Sequence, residues 1–80
     1  MWDYEVIKRY PVEKLQAVKL GSDGAGAYML QLLLNQQGYK LSNDGNFGPA
    51  TASAVRAYQQ AKGLKVDGIV GQNTWRALKK

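Results

Sequence analysis

The side chains able to do chemistry in this 80-residue chain gather around two Asp-Gly dipeptides, Asp44-Gly45 and Asp67-Gly68. Tyr39, Asn43, Asp44 and Asn46 share one eight-residue stretch at the first of them. Together they offer an aromatic ring, two amides and a carboxylate, groups that stack and hydrogen-bond. Catalysis finds little support. Histidine and cysteine are absent, which removes triads with a histidine base, His- or Cys-based zinc sites and any disulfide framework. Asp44-x-Asn46 resembles the opening of a calcium loop, but its twelfth position is Val55 where the loop requires Glu. The six carboxylates form no pair of forced geometry, which argues against a two-carboxylate glycosidase. No glycine signature for phosphate is present, and nothing sets a lysine base beside a serine. No catalytic residue, metal site or cofactor is expected.

The elements that must position these groups come from an internal repeat. Residues 44–55 and 67–78 both read D-G-x-apolar-G-x-x-T-x-x-A-apolar, at an offset of 23 residues. Stacked solenoids need about three units or more, so the repeat describes one loop-into-helix device used twice. In each copy Asp-Gly forms the turn, with Asp bonding nearby amides and Gly taking a positive φ. Phe47 or Val70 then points into the core, and Gly48 or Gly71 starts a helix, with Pro49 suited to the first helical position. Thr51 and Thr74 are placed to bond back to the free amides of that first turn.

Periodicity predicts three helices, over about 26–37, 49–62 and 72–79, with Gly38 and Gly63 as stops and Trp75 and Leu78 buried on the last. No strand is expected in residues 21–80. The expected fold is all-α, a small three-helix bundle with an N-terminal arm. Residues 1–18 are read as the arm or a linker remnant, and 19–80 as the domain. In the arm Trp2, Tyr4 and Val6 alternate in a strand-like way, and Val12, Leu15 and Val18 suit one or two helical turns. Three aromatics in ten residues predict an arm packed on the bundle. Gln31 and Gln59 each follow a core residue, and the preferred reading is that their amides tie down the two Asp-Gly loops. Tyr28 and Arg56 lie off the main apolar stripes and read as solvated surface, Arg56 being also a candidate for anionic groups.

Composition bounds the rest. With 45% hydrophobic residues the chain is globular rather than disordered. It has no apolar run of 18 residues, and no membrane partner is expected. The first five residues carry two acids and no apolar stretch, so no signal peptide is expected on this chain. A net charge of +5 points to anionic partners: nucleic acid, anionic lipid or an acidic polymer such as a bacterial cell wall. The cations are dispersed, a mild field rather than a footprint.

The series Gly21-Ser22-Asp23-Gly24, Leu30-Gln31, Leu34, Gly38-Tyr39, Asp44-Gly45-x-Phe47-Gly48, Thr51, Ala54-Val55, Tyr58-Gln59, Gly63-Leu64, Asp67-Gly68-Ile69-Val70-Gly71 and Thr74-Trp75 resembles the peptidoglycan-binding domain found beside bacterial and phage cell-wall hydrolases. The resemblance covers about residues 19–79 without a gap. It implies a three-helix bundle that binds cell-wall polymer without catalysis and tethers a lysozyme, amidase or peptidase. It further implies a place in the cell envelope or outside the cell, and a monomer is expected. Ala25-Gly26-Ala27 departs from the family pattern and predicts a weaker helix start, worth on the order of 1 kcal/mol. With a glycan or stem peptide as ligand, Tyr39, Asn43, Asp44, Asn46 and Arg56 are the candidate binding residues. Asp44 is weighed against a pure turn role, because its repeat mate is Asp67. Asn46 is the stronger candidate, since Ile69 stands in its place in the second copy. The competing reading is a basic helix-turn-helix-like domain on nucleic acid. Against it, the last helix offers Arg76, Lys79 and Lys80, two of them at its very end, whereas recognition helices read bases from the N-terminal part.

Overall fold

The computed structural model describes residues 4–79. Its helices are α1 (Tyr4–Arg9), α2 (Ala25–Gln36), α3 (Pro49–Ala61) and α4 (Gln72–Leu78), with one 3-10 turn at Val12–Lys14. The three predicted helices are α2, α3 and α4, each displaced by one residue at most. No strand occurs among the described residues, and the pairing is limited to two antiparallel bridges, Val18 with Val70 and Asp23 with Asn46.

Helices α2 and α3 end in the same way. The amide of Tyr39 donates to the Leu34 carbonyl and that of Gly38 to Asn35. Leu64 donates to Gln59 and Gly63 to Gln60 in the same pattern. This is the Schellman arrangement, which requires a left-handed residue after the cap. Gly38 and Gly63 supply it, with φ of 102° and 70°.

The arm departs from its strand-like expectation. Residues from Tyr4 onward are helical, because Ile7 and Tyr10 at i, i+3 define the face that packs. Trp2 lies outside the described residues. Of the turns expected around Val12, Leu15 and Val18, only Val12–Lys14 is helical; the chain is extended again at Leu15. The arm does pack on the bundle: Ile7, Leu15 and Val18 are buried in the same cluster as Leu30, Phe47 and Trp75. Its carbonyls are held from α4. Gln72 Nε2 donates to Val12 and Leu15, and Trp75 Nε1 donates to Gln16 at 3.1 Å.

Segment 18–24 then runs as a strap across both Asp-Gly loops. At one end Val18 and Val70 exchange backbone bonds of 3.2 and 2.8 Å. At the other, Gly21 and Gly24 donate to Phe47 and Gly45, and Phe47 donates to Ser22. This strap, which turns at Lys19–Ser22, therefore sets the relative position of the two repeat copies.

Candidate ligand-binding site

Each loop is organised from inside by a buried glutamine. Gln31 Nε2 donates to Asp44 Oδ1 (3.1 Å), the Asn46 carbonyl (3.0 Å) and Thr51 Oγ1 (3.2 Å), while its Oε1 accepts from the Gly45 amide (2.9 Å). Gln59 repeats the pattern on Asp67, Ile69 and Thr74, and its Oε1 accepts from the amides of both Asp67 and Gly68. Both glutamines are 1% exposed. The loop-tying role expected for them is what the structure has. The threonines differ from expectation. Their hydroxyls accept from these glutamines across the loop, 20 and 15 residues away in sequence, rather than serving their own helix's amides.

The glutamines also show how the copies differ. Gln31 reaches forward 13 residues to Asp44, and Gln59 only 8 to Asp67. Three of the five extra residues lengthen α2 beyond its glutamine, and two lengthen the loop. Asn35 holds the longer loop, bonding both backbone groups of Leu41 and donating to Asn43 Oδ1 at 2.6 Å.

Asp44 and Asp67 are turn-formers. Their Oδ1 atoms accept the amides of Asn46 and Ile69 at 2.9 Å. Those backbone bonds are the main reason both carboxyls sit below their ordinary 3.8, with the Gln31 and Gln59 amides adding to the shift. Each is ionised at neutral pH. Asp44 keeps Oδ2 outside both of its bonds and remains exposed.

Asp44 and Asn46 stand on a ridge with a groove on either side. One groove is formed with Asp23, Gly24, Ala25 and Tyr28 at the start of α2. The other runs past Gln31, Lys40, Leu41 and Ser42 to Pro49 and Thr51. Asn46 is exposed and engages the protein through its backbone amide and carbonyl. Asn43 stands beside the ridge, held by Asn35. Tyr39 is part-buried against the core and lines neither groove. Arg56 belongs elsewhere, lying against Gly68 of the second loop, where its Nη1 is 3.2 Å from the position a Cβ would take. Asp23 and Tyr28 join the first groove although neither was a candidate by sequence. The Asp23–Gly24 dipeptide, a third Asp-Gly in the chain, is the sequence signal that could have found Asp23; none marks Tyr28.

Residues 23–78 match the family described as "Putative peptidoglycan binding domain". A zinc D-Ala-D-Ala carboxypeptidase of Streptomyces albus G is 39% identical over 64 residues, covering 74% of this chain and 25% of that protein. The endolysin of the Burkholderia phage AP3 superposes with a TM-score of 0.77 at 41% identity, over 79% of this chain and 24% of its own. The SleB N-terminal domain superposes with a TM-score of 0.77 at 36% identity, over 81% of this chain and 94% of that one. The chain thus spans about a quarter of the length of the enzymes it resembles and nearly all of an excised domain.

Proposed function

The chain belongs to the peptidoglycan-binding domain family, and from that premise we propose that it binds bacterial cell-wall peptidoglycan without chemistry of its own, holding an associated wall hydrolase at its substrate. The single observation that carries this is the family match over residues 23–78. It is supported by relatives that are wall enzymes several times longer than the matching segment, among them the carboxypeptidase and a probable N-acetylmuramoyl-L-alanine amidase of Bacillus licheniformis. The reading places the protein in the envelope or outside the cell, acting as a monomer.

Recognition is assigned to the ridge of the first Asp-Gly loop. Asn43, Asp44 and Asn46 offer hydrogen-bonding groups there, with Tyr39 at the base of the loop, and Arg56 serves more distant anionic groups. Asn46 has the least structural work for its side chain, so Asn46→Ala is the informative variant. The test is retention of the purified protein on insoluble peptidoglycan at low and high salt, with duplex DNA as competitor. Retention at high salt, indifferent to DNA and weakened in folded Asn46→Ala protein, is the expected result. Displacement by DNA or release by salt would assign the binding to net charge, since phosphate contacts are steeply salt-dependent. Full retention of Asn46→Ala would remove the loop from the site.

A further inference from the structure

The groove at the start of α2 differs in charge from its neighbours. Tyr28 lines it from the first turn of α2, Asp23 and Gly24 from the strap, and Asp44, Gly45 and Asn46 from the loop. Two of the chain's six carboxylates therefore border one concavity that no lysine or arginine lines. Three other grooves each set a lysine against a carboxylate: Lys14 of the arm with Asp23, Lys65 with Asp67 at the second loop, and Lys40 with Asp44 on the far side of the ridge. On a chain of net charge +5, this groove is the one of the four bordered by two carboxylates and no cation. The charged and aromatic groups that line it are therefore two carboxylates and one phenol ring.

The groove is built rather than incidental. Gly24 donates to the Gly45 carbonyl at 2.9 Å, which joins strap and loop. A Cβ on Gly45 would stand 3.4 Å from the Gly24 carbonyl and 3.9 Å from Tyr28 Cβ, so loop and helix already meet closely there. Asp44 is oriented by the Asn46 amide and the Gln31 side chain through Oδ1 alone, which leaves Oδ2 for a ligand.

A phenol ring flanked by carboxylates suits an ammonium: the ring face attracts a cation, and each carboxylate adds a charge-assisted hydrogen bond. Resting on the peptidoglycan reading above, we propose that this groove binds the free side-chain ammonium of the diamino acid in an uncrosslinked stem peptide. The amine sits at the end of a flexible aliphatic stem, which can lie along Tyr28 while the cation reaches Asp23 and Asp44. The same groove would favour wall that is not yet crosslinked, because crosslinking turns that amine into an uncharged amide.

The test compares retention on sacculi whose stem peptides carry lysine, before and after acetylation of their free amines. An exposed carboxylate–ammonium pair contributes modestly, and two with a ring should give about a fivefold weaker apparent affinity for acetylated wall. Asp23→Asn should show the weaker affinity already on native wall and respond less than about twofold to acetylation. Asp23 is exposed, and its fold is checked by thermal melting. A free lysine-type stem peptide should compete, and its Nε-acetyl form should not. Unchanged or tighter binding after acetylation overturns the proposal; tighter binding is what charge alone predicts, since acetylation makes the wall more anionic toward a +5 protein. Competition by glucosamine but not by the stem peptide overturns the assigned source of the amine. Absence of retention on untreated sacculi overturns the peptidoglycan reading itself, and the amine pocket with it.

Discussion

Replacing the two loop-tying glutamines by methionine, which nearly preserves their shape, should give unequal losses. Gln59→Met strands the Gly68 amide and the Thr74 hydroxyl, both in buried residues. The Asp67 amide and the Ile69 carbonyl belong to exposed residues and can turn to water. Each stranded buried group costs about 1–3 kcal/mol, so the loss is about 2–6 kcal/mol before a small gain from burying the thioether. Gln31→Met strands only the Thr51 hydroxyl in a buried residue, because Gly45 is part-exposed and Asn46 exposed. Its loss is about 1–3 kcal/mol. For a domain of this size 1 kcal/mol moves Tm by about 4–8 °C, so the two variants should melt at least about 4 °C apart, with Gln59→Met the lower. Urea unfolding followed by far-ultraviolet circular dichroism and by the fluorescence of buried Trp75 measures both on one scale. Equal losses, or the larger loss at Gln31, would refute the claim that burial of the stranded partner sets the cost.

Phe47, 1% exposed, anchors the first repeat copy, and Phe47→Ala should cost about 3–5 kcal/mol in urea unfolding; a loss below about 1.5 would contradict its role as a core plug. Ile7→Ala should cost about 2–5 kcal/mol, and an unchanged midpoint would mean that the arm is dispensable. Asp44 and Asp67 have folded values below 3.8, so the folded chain holds fewer protons than the unfolded one in acid. Their stabilisation is complete at neutral pH and is lost as pH falls through about 3.8 and below, so Asp67→Asn should flatten the acid limb of Tm against pH. A Cβ on Gly26 would stand 3.0 Å from Val18 Cγ1. Overpacking of about 1–3 kcal/mol then outweighs a helix-propensity gain of about 1. Gly26→Ala should therefore destabilise the native chain yet stabilise a Val18→Ala background, and the same sign in both would refute the contact.

What the sequence made legible is what local chemistry decides. The caps at Gly38 and Gly63, the turns at Asp44 and Asp67, and the helix starts at Pro49 and Gln72 depend on residues a few positions apart. The glutamine ties were legible because a repeated buried amide next to a repeated turn leaves few other roles. What was not legible depends on pairing across the chain. Tyr28 reads as surface until Asp23 pairs with Asn46 and closes a groove beside it. Thr51 and Thr74 look like local caps because their partners come from the preceding helix. Arg56 is a cation on an exposed face in either view, and only the folded chain sets it against the second loop rather than the first. In the arm, Trp2, Tyr4 and Val6 alternate, but adjacent Val6 and Ile7 break that pattern and Tyr10 completes a helical one.

The glycine in the departure at Ala25-Gly26-Ala27 has its reason in the arm. The family match begins at residue 23, yet the core continues back to Ile7, and the missing Cβ of Gly26 is the space that Val18 occupies. A bulkier residue there would improve the start of α2 and push out the strap that joins the two loops. We therefore propose that the folding unit includes the arm as well as the family segment. The arm also breaks the symmetry of the repeat. It takes up the start of α4 through Gln72 and Trp75, whereas the equivalent start of α3 at Pro49 and Ala50 is exposed. Of two loops built alike, the first is the one whose helix start the arm leaves open, and it is also the one that carries Asn46 where its copy carries Ile69. Both asymmetries favour the first loop as the binding face and leave the second to hold the fold together.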